Sequence, residues 1–199
     1  MANANTQVQE LYVAYFNRPA DVAGLKYWAD ILADDPNAYK AIAQDFSNSW
    51  EYMMSYNGLT NRQIVDTVYQ HLFGRAAESA GVDYWAKLLD QKALTVANVV
   101  TEVAHGAQGS DKIVIDGKVE VATAFTSHLD TTLEQLAYSG VVANQTASAY
   151  LAAITDAQSA LRALAPENID AAISQFAGPI VNPIFGVDAE VVGVPPVHA

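Results

Sequence analysis

One eleven-residue stretch occurs twice, and the rest of the chain has to accommodate it. Residues 18–28 read R-P-A-D-V-A-G-L-K-Y-W and residues 75–85 read R-A-A-E-S-A-G-V-D-Y-W, an offset of 57 with no gap. Arg18 falls on Arg75, Asp21 on Glu78, Gly24 on Gly81, Tyr27 on Tyr84 and Trp28 on Trp85. The register continues outward: Tyr12 and Phe16 fall on Tyr69 and Phe73, and Ala29 and Leu32 on Ala86 and Leu89. Agreement of this kind marks an internal duplication. The period exceeds that of most solenoid units and there are two copies, which points to a compact pseudo-symmetric bundle rather than an open array.

The repeated residues read as a corner between helices. An apolar helix ends near Phe16 or Phe73, and Asn17 or Gly74 follows, residues that tolerate the left-handed C-terminal position. Asp21 is placed to cap the next helix and Glu78 to sit in its first turn, where acids are favoured. Arg18 and Arg75 are near enough in sequence to pair with that acid and with the carbonyls ending the preceding helix. Gly24 and Gly81 fall in the first turn of the new helix, where Gly costs ~1 kcal/mol relative to Ala. A glycine kept in both copies implies a neighbour too close to admit a Cβ. Tyr27 and Trp28, like Tyr84 and Trp85, are the large groups available to fill the angle, which assigns both tryptophans to the core.

Apolar spacing predicts helices over residues 6–16, 21–33, 37–55, about 61–73, 78–90 and 95–105, with Thr60 or Asn61 capping the fourth and Thr95 the sixth. The run K-I-V-I-D-G-K-V-E-V at 112–121 has two readings. Asp-Gly between alternating apolar residues is a hairpin signal. Alternatively 113–115 is a short extended linker and a helix starts near Gly117. The series Val119, Ala122, Phe125, Leu129, Leu133, Leu136 decides for the helix. Ala-rich helices follow to about residue 176, the last opened by Pro166, and four prolines punctuate the stretch beyond Gly178. The expected architecture is all-α, about nine helices. It comprises two related three-helix units (1–57 and 58–110), a helical section (111–178) and an extended linker (179–199) leading to further domains.

Half the residues are apolar and 16% are charged, which suits a sizeable core. The net charge of −12 argues against a nucleic-acid partner. It also disfavours bare anionic lipid or phosphate unless divalent cations bridge the two. The acidity is uneven: from Val119 onward there are eight acids and one base, Arg162. With no cysteine, disulfides, thiolate zinc sites and cysteine nucleophiles are excluded. The first ten residues lack a basic region and an apolar core, so they are not a Sec signal. No stretch approaches the ~20 apolar residues of a membrane span.

The catalytic inventory is thin. His71, His105, His128 and His198 are scattered, without the H-E-x-x-H spacing of a zinc site. There is no G-x-S-x-G elbow and no phosphate loop. The acids Asp45 and Glu51 are the pair to weigh for acid–base catalysis. Calcium is the one cofactor to consider, with Asp111, Asp116 and Glu120 as oxygen donors and Asp34 with Asp35 as a smaller group. The spacing is not that of an EF-hand loop, and isolated acids near helix starts are usually caps. Trp50, Tyr52 and Tyr56 lie at the end of the first unit without counterparts in the second, which makes them the candidates for a surface contact.

The pattern R-x-x-D/E-x-x-G-x-x-Y-W after an L-Y-x-x-x-F helix resembles a bacterial helical domain of unassigned function. That domain is common in surface-layer (S-layer) proteins and in RTX-type adhesins and secreted enzymes of Gram-negative bacteria. F-S-N-S-W-E-Y at 46–52 is similar to the F-x-x-S-x-E-[FY] ending of its unit. The second copy departs there, reading V-A-H-G-A-Q-G, so that corner has to be built differently. The resemblance implies a secreted, non-catalytic module exported by a type I route, with a C-terminal signal rather than a cleaved N-terminal one. It further implies anchoring to outer-membrane lipopolysaccharide, or self-association within a surface layer, without membrane insertion. The alternative is an auxiliary module of an RTX-type adhesin or enzyme.

Overall fold

A computed structural model of the chain describes residues 3–178. The repeat is carried into the backbone without slippage. Helix α1 (Ala4–Phe16) stops at Asn17 with φ 49°, and α5 (Asn61–Phe73), its counterpart at the same offset, stops at Gly74 with φ 65°. Both residues are left-handed, which ends a helix by turning the chain out of its own hydrogen-bond ladder. Helix α2 (Val22–Asp34) matches α6 (Ser79–Asp90). A 3-10 turn, Pro36–Ala38, precedes α3 (Tyr39–Ser47), which matches α7 (Val96–His105).

The expected single helix over 37–55 is two. Ser49 leaves the helical conformation and its hydroxyl accepts the Tyr52 N–H at 3.2 Å, which caps a new helix, α4 (Trp50–Tyr56). The counterpart of α4 is the beginning of α8 (Gly109–His128), which does not stop but runs on into the C-terminal part. There α9 (Thr132–Ala137), α10 (Val141–Ala152), α11 (Ala157–Ala163) and α12 (Pro166–Ala177) complete the fold. The described residues thus form twelve α-helices and no strand, more and shorter pieces than the nine expected. No helix among them is long and apolar enough to cross a membrane.

Helix α8 overturns the sequence reading of its own region. Residues 113–115 are neither hairpin nor linker, and the division at 110/111 falls inside the helix. Gly117 lies mid-helix rather than at a start. A Cβ there would sit 2.7 Å from the Ala160 Cβ, so the glycine admits α11 at close range. Burial runs around α8 (Val114, Ile115, Lys118, Val119, Val121, Ala122, Phe125), which explains why alternation and helical spacing were both visible. Leu129 ends it, so Leu133 and Leu136 leave the apolar series and stand on α9, 53% and 70% exposed. Side chains of both copies share one hydrophobic cluster, from Val8 to Ile115. Two smaller clusters, around Phe125 and around Val121, join α8 to the C-terminal helices. The stretch 179–199 lies outside the described residues.

Candidate functional site

The corners lock as helix ends do, through backbone groups first. The Asp21 carboxylate accepts the Gly24 N–H at 2.7 Å and the Tyr12 hydroxyl at 3.4 Å. Burial and this nearby acid push the Tyr12 hydroxyl pKa up. A Cβ on Gly24 would run into the Tyr12 hydroxyl and the Asp21 carboxylate, so the excluded Cβ inferred from the sequence has its cause. In the second copy the Tyr69 hydroxyl stands 3.1 Å from the Cβ position of Gly81. It accepts the Trp85 indole N–H at 3.3 Å. Glu78 occupies the cap position without capping through its side chain. It pairs instead with Arg75 at 2.7 Å, and that partner lowers its carboxyl pKa.

The acid that grips each arginine with both of its oxygens is outside the repeated stretch. Arg18 donates from Nε and Nη2 to the two oxygens of Glu51 at 2.8 and 2.9 Å, and from Nη1 to the Pro19 carbonyl at 3.2 Å. Asp21, the acid expected as its partner, is used as a cap. Arg75 makes the same bidentate contact to Asp111 at 2.8 and 2.7 Å. Asp111 is not the aligned position, which is Gln108. It lies one turn further along, on the start of α8, and makes the equivalent contact. For Arg18, burial opposes the charge but Glu51 more than offsets it, so the guanidinium is held above its ordinary value. Arg75, between Asp111 and Glu78, is raised as well. Fork-to-fork pairs of this kind fix orientation as well as distance.

The first corner is roofed by residues that the sequence did not single out. The Tyr138 hydroxyl donates to the Pro19 carbonyl at 2.8 Å and its ring lies 6.0 Å from the Arg18 guanidinium. Thr126 donates to the Ala20 carbonyl at 2.7 Å and accepts from Gln9, whose other amide atom takes the Ala20 N–H at 3.1 Å. Lys118, fully buried on α8, donates to the His71 carbonyl at the end of α5 and to Asn17 Oδ1 at 3.4 Å. It has no carboxylate partner among the described residues, and burial lowers its pKa to about 8. His71, beside it, is lowered to about 4 by burial and then by the Lys118 charge. A lysine in an apolar helix pattern reads as a solvated face, which is why this group was missed.

The aromatic candidates part company. Residues two apart on a helix point about 200° away from each other, so α4 puts one pair in and another out. Tyr52 and Tyr56, 2% and 6% exposed, face the core, with Tyr52 against Tyr15 at 5.1 Å and bonded to the Val96 carbonyl. They are not surface residues. Trp50 is 74% exposed and Met54 shares its face. Trp28 and Trp85 are half-buried; Trp28 meets the Phe46 ring edge at 5.5 Å. Tyr27 and Tyr84 do not fill the corner as expected but lie on the surface against those indoles. Between α4 and α10 runs a groove of about 730 Å³, lined by Trp50, Met54, Val141, Asn144, Gln145 and Ser148, with Arg18 and Glu51 also at its wall.

The acidic candidates do not converge. Asp111 is held by Arg75, Asp116 pairs with Lys112 one turn back, and Glu120 is exposed. Asp35 caps the 3-10 turn. Among the described residues no three His or acidic side chains are grouped to hold a metal ion. Both Glu51 oxygens are occupied by Arg18 while Asp45 is exposed, so these two are not set up as an acid and base. A smaller cavity of about 170 Å³ is lined by Glu10, Tyr39, His105, Lys112 and Asp116. Burial raises the Glu10 carboxyl pKa there.

The fold and its corners define a duplicated helical module in which each arginine is clamped by an acid supplied from beyond the motif. Residues 2–56 and 43–108 each match the family described as Domain of unknown function (DUF4214), and the chain belongs to that family. The second match opens inside α3, so the run ending at Glu51 closes one unit and begins the next. No curated protein and no solved structure matches the chain.

Proposed function

We propose that this chain is a non-catalytic contact module of a secreted, surface-layer-like protein, holding that protein to outer-membrane polysaccharide. The observation that carries the reading is the groove between α4 and α10. An exposed indole and two apolar side chains stand there beside amide and hydroxyl groups, with α4 held by the Arg18–Glu51 pair and α10 by the bond from Asn17 to Ser148. Rigid aromatic surface next to neutral hydrogen-bonding groups is the chemistry that recognises sugars, with an apolar ring face and a rim of hydroxyls. A second role, contact with neighbouring subunits, is favoured by Leu133, Leu136 and Val142, which stand exposed on α9 and α10. Retention of the chain on purified lipopolysaccharide, with and without calcium, tests anchoring. Sedimentation across a concentration series tests self-association. No retention under either condition removes the anchoring role.

A further inference from the structure

We infer that the α4–α10 groove takes an uncharged stretch of polysaccharide and requires no divalent cation to do so. The inference rests on the anchoring reading above and specifies its ligand. Trp50, 74% exposed, and Val141, 72% exposed, with Met54 beside them, present an apolar platform to the solvent. Asn144 and Gln145 line the same groove, and their side-chain amides make no hydrogen bond to the rest of the described protein, so they are available as paired donors and acceptors. The Ser148 hydroxyl accepts the Asn17 amide at 3.2 Å and keeps its own hydrogen to give.

The charges at the groove decide between ligand classes. Among the described residues that line it Arg18 is the one cation, and it is consumed: three of its nitrogens are bonded to Glu51 and Pro19, and its side chain is 10% exposed. A phosphate or sugar acid arriving there would find no free base, in a molecule of net charge −12. Calcium would need several oxygen donors. Among its described lining residues the groove offers one carboxylate, Glu51, with both oxygens already engaged. What remains is a neutral, amphipathic surface. A pyranose ring matches it, its C–H face on the indole and its hydroxyls on the amides.

The full chain is titrated, in EDTA and then in calcium, with two probes from the envelope of the producing strain. One is the polysaccharide released from lipopolysaccharide by mild acid, then dephosphorylated and freed of charged chains by anion exchange. The other is truncated lipopolysaccharide that keeps only the phosphorylated inner core. The expected result is binding of the neutral polysaccharide, equal in both buffers. Trp50→Ala weakens it about tenfold or more, as truncation of an anchoring aromatic does, with helicity unchanged. Trp50→Phe retains part of it. Binding of the phosphorylated core alone, or binding only in calcium, overturns this inference and leaves anchoring intact. Binding of neither probe overturns both. Polysaccharide binding indifferent to Trp50→Ala overturns the inference. So does a self-association that Trp50→Ala abolishes while no glycan binds, since the groove then belongs to a second copy.

Discussion

At the first corner Arg18 makes its bidentate contact beneath Tyr138, with 10% of its side chain exposed; at the second, Arg75 makes the same contact with 40% exposed. Pro19 and Ala20 are buried, while Ala76 is exposed and Ala77 half-covered. The position of buried Gln9 is taken in the second copy by Asp66, which faces water. One sequence motif therefore supports an arginine sealed under a roof and an arginine left open, while the exposure of the partner acids runs the other way, 40% for Glu51 and 18% for Asp111. The motif builds the turn and presents the arginine. What packs over it decides how much that arginine contributes.

The largest effect should come from removing the arginines. Arg18→Ala empties space under three aromatic rings and strips the partner from Glu51, which at 40% exposure can turn to water, so lost packing dominates and the cost should be about 2–3 kcal/mol in urea unfolding. Arg75→Ala should cost about 1 kcal/mol, as exposed pairs do. Equal losses would break the contrast between corners. Next come the glycines. Gly24→Ala forces apart a buried tyrosine and a cap and should cost about 2 kcal/mol. Gly81→Ala has to displace Tyr69 by only a few tenths of an ångström and regains helix propensity of ~1 kcal/mol, so its unfolding midpoint should stay close to that of the parent.

Lys118 touches both corners, and its titration sharpens the comparison. Its folded pKa, about 8, lies below the ordinary 10.5, so between those values the unfolded chain binds more protons than the folded one. Stability linked to Lys118 therefore rises as pH rises through that window, and the cost of burying the charge is fully present below it. Measured against Lys118→Met at pH 7.5 and 9.5, the parent should gain about 1–2 kcal/mol on the alkaline side. A constant difference would mean that the ammonium is solvated. The smallest effect separates the acids. Asp21→Ala removes a cap and should cost about 1 kcal/mol. Glu78→Ala removes an exposed pair and should cost less than about 0.5 kcal/mol.

Much of the fold was legible because the signals were local. Helix stops at Asn17 and Gly74 need only left-handed residues, and Asp21 caps a helix three residues away. The excluded Cβ at Gly24 was inferable from repetition alone. Tyr52 and Tyr56 were misjudged because an aromatic at a unit end looks the same in sequence whether it points in or out. The break at Ser49 is hidden in the sequence because the apolar spacing runs on continuously from Phe46 through Trp50 and Met53. Helix α8 was divided because Asp-Gly reads as a turn, and only the crossing of α11 shows why Gly117 is there.

Taken alone, the sequence determined the duplicated frame: twin helix ends, a close glycine contact and an arginine in each copy that had to find an acid. Tertiary structure alone chose the acids, Glu51 at 33 residues from Arg18 and Asp111 at 36 from Arg75. It alone sank Lys118, roofed one corner with Tyr138 and left Trp50 in the solvent. The physical reason is range. Capping and helical spacing act over three or four residues, whereas burial depends on which distant helix arrives to cover a face.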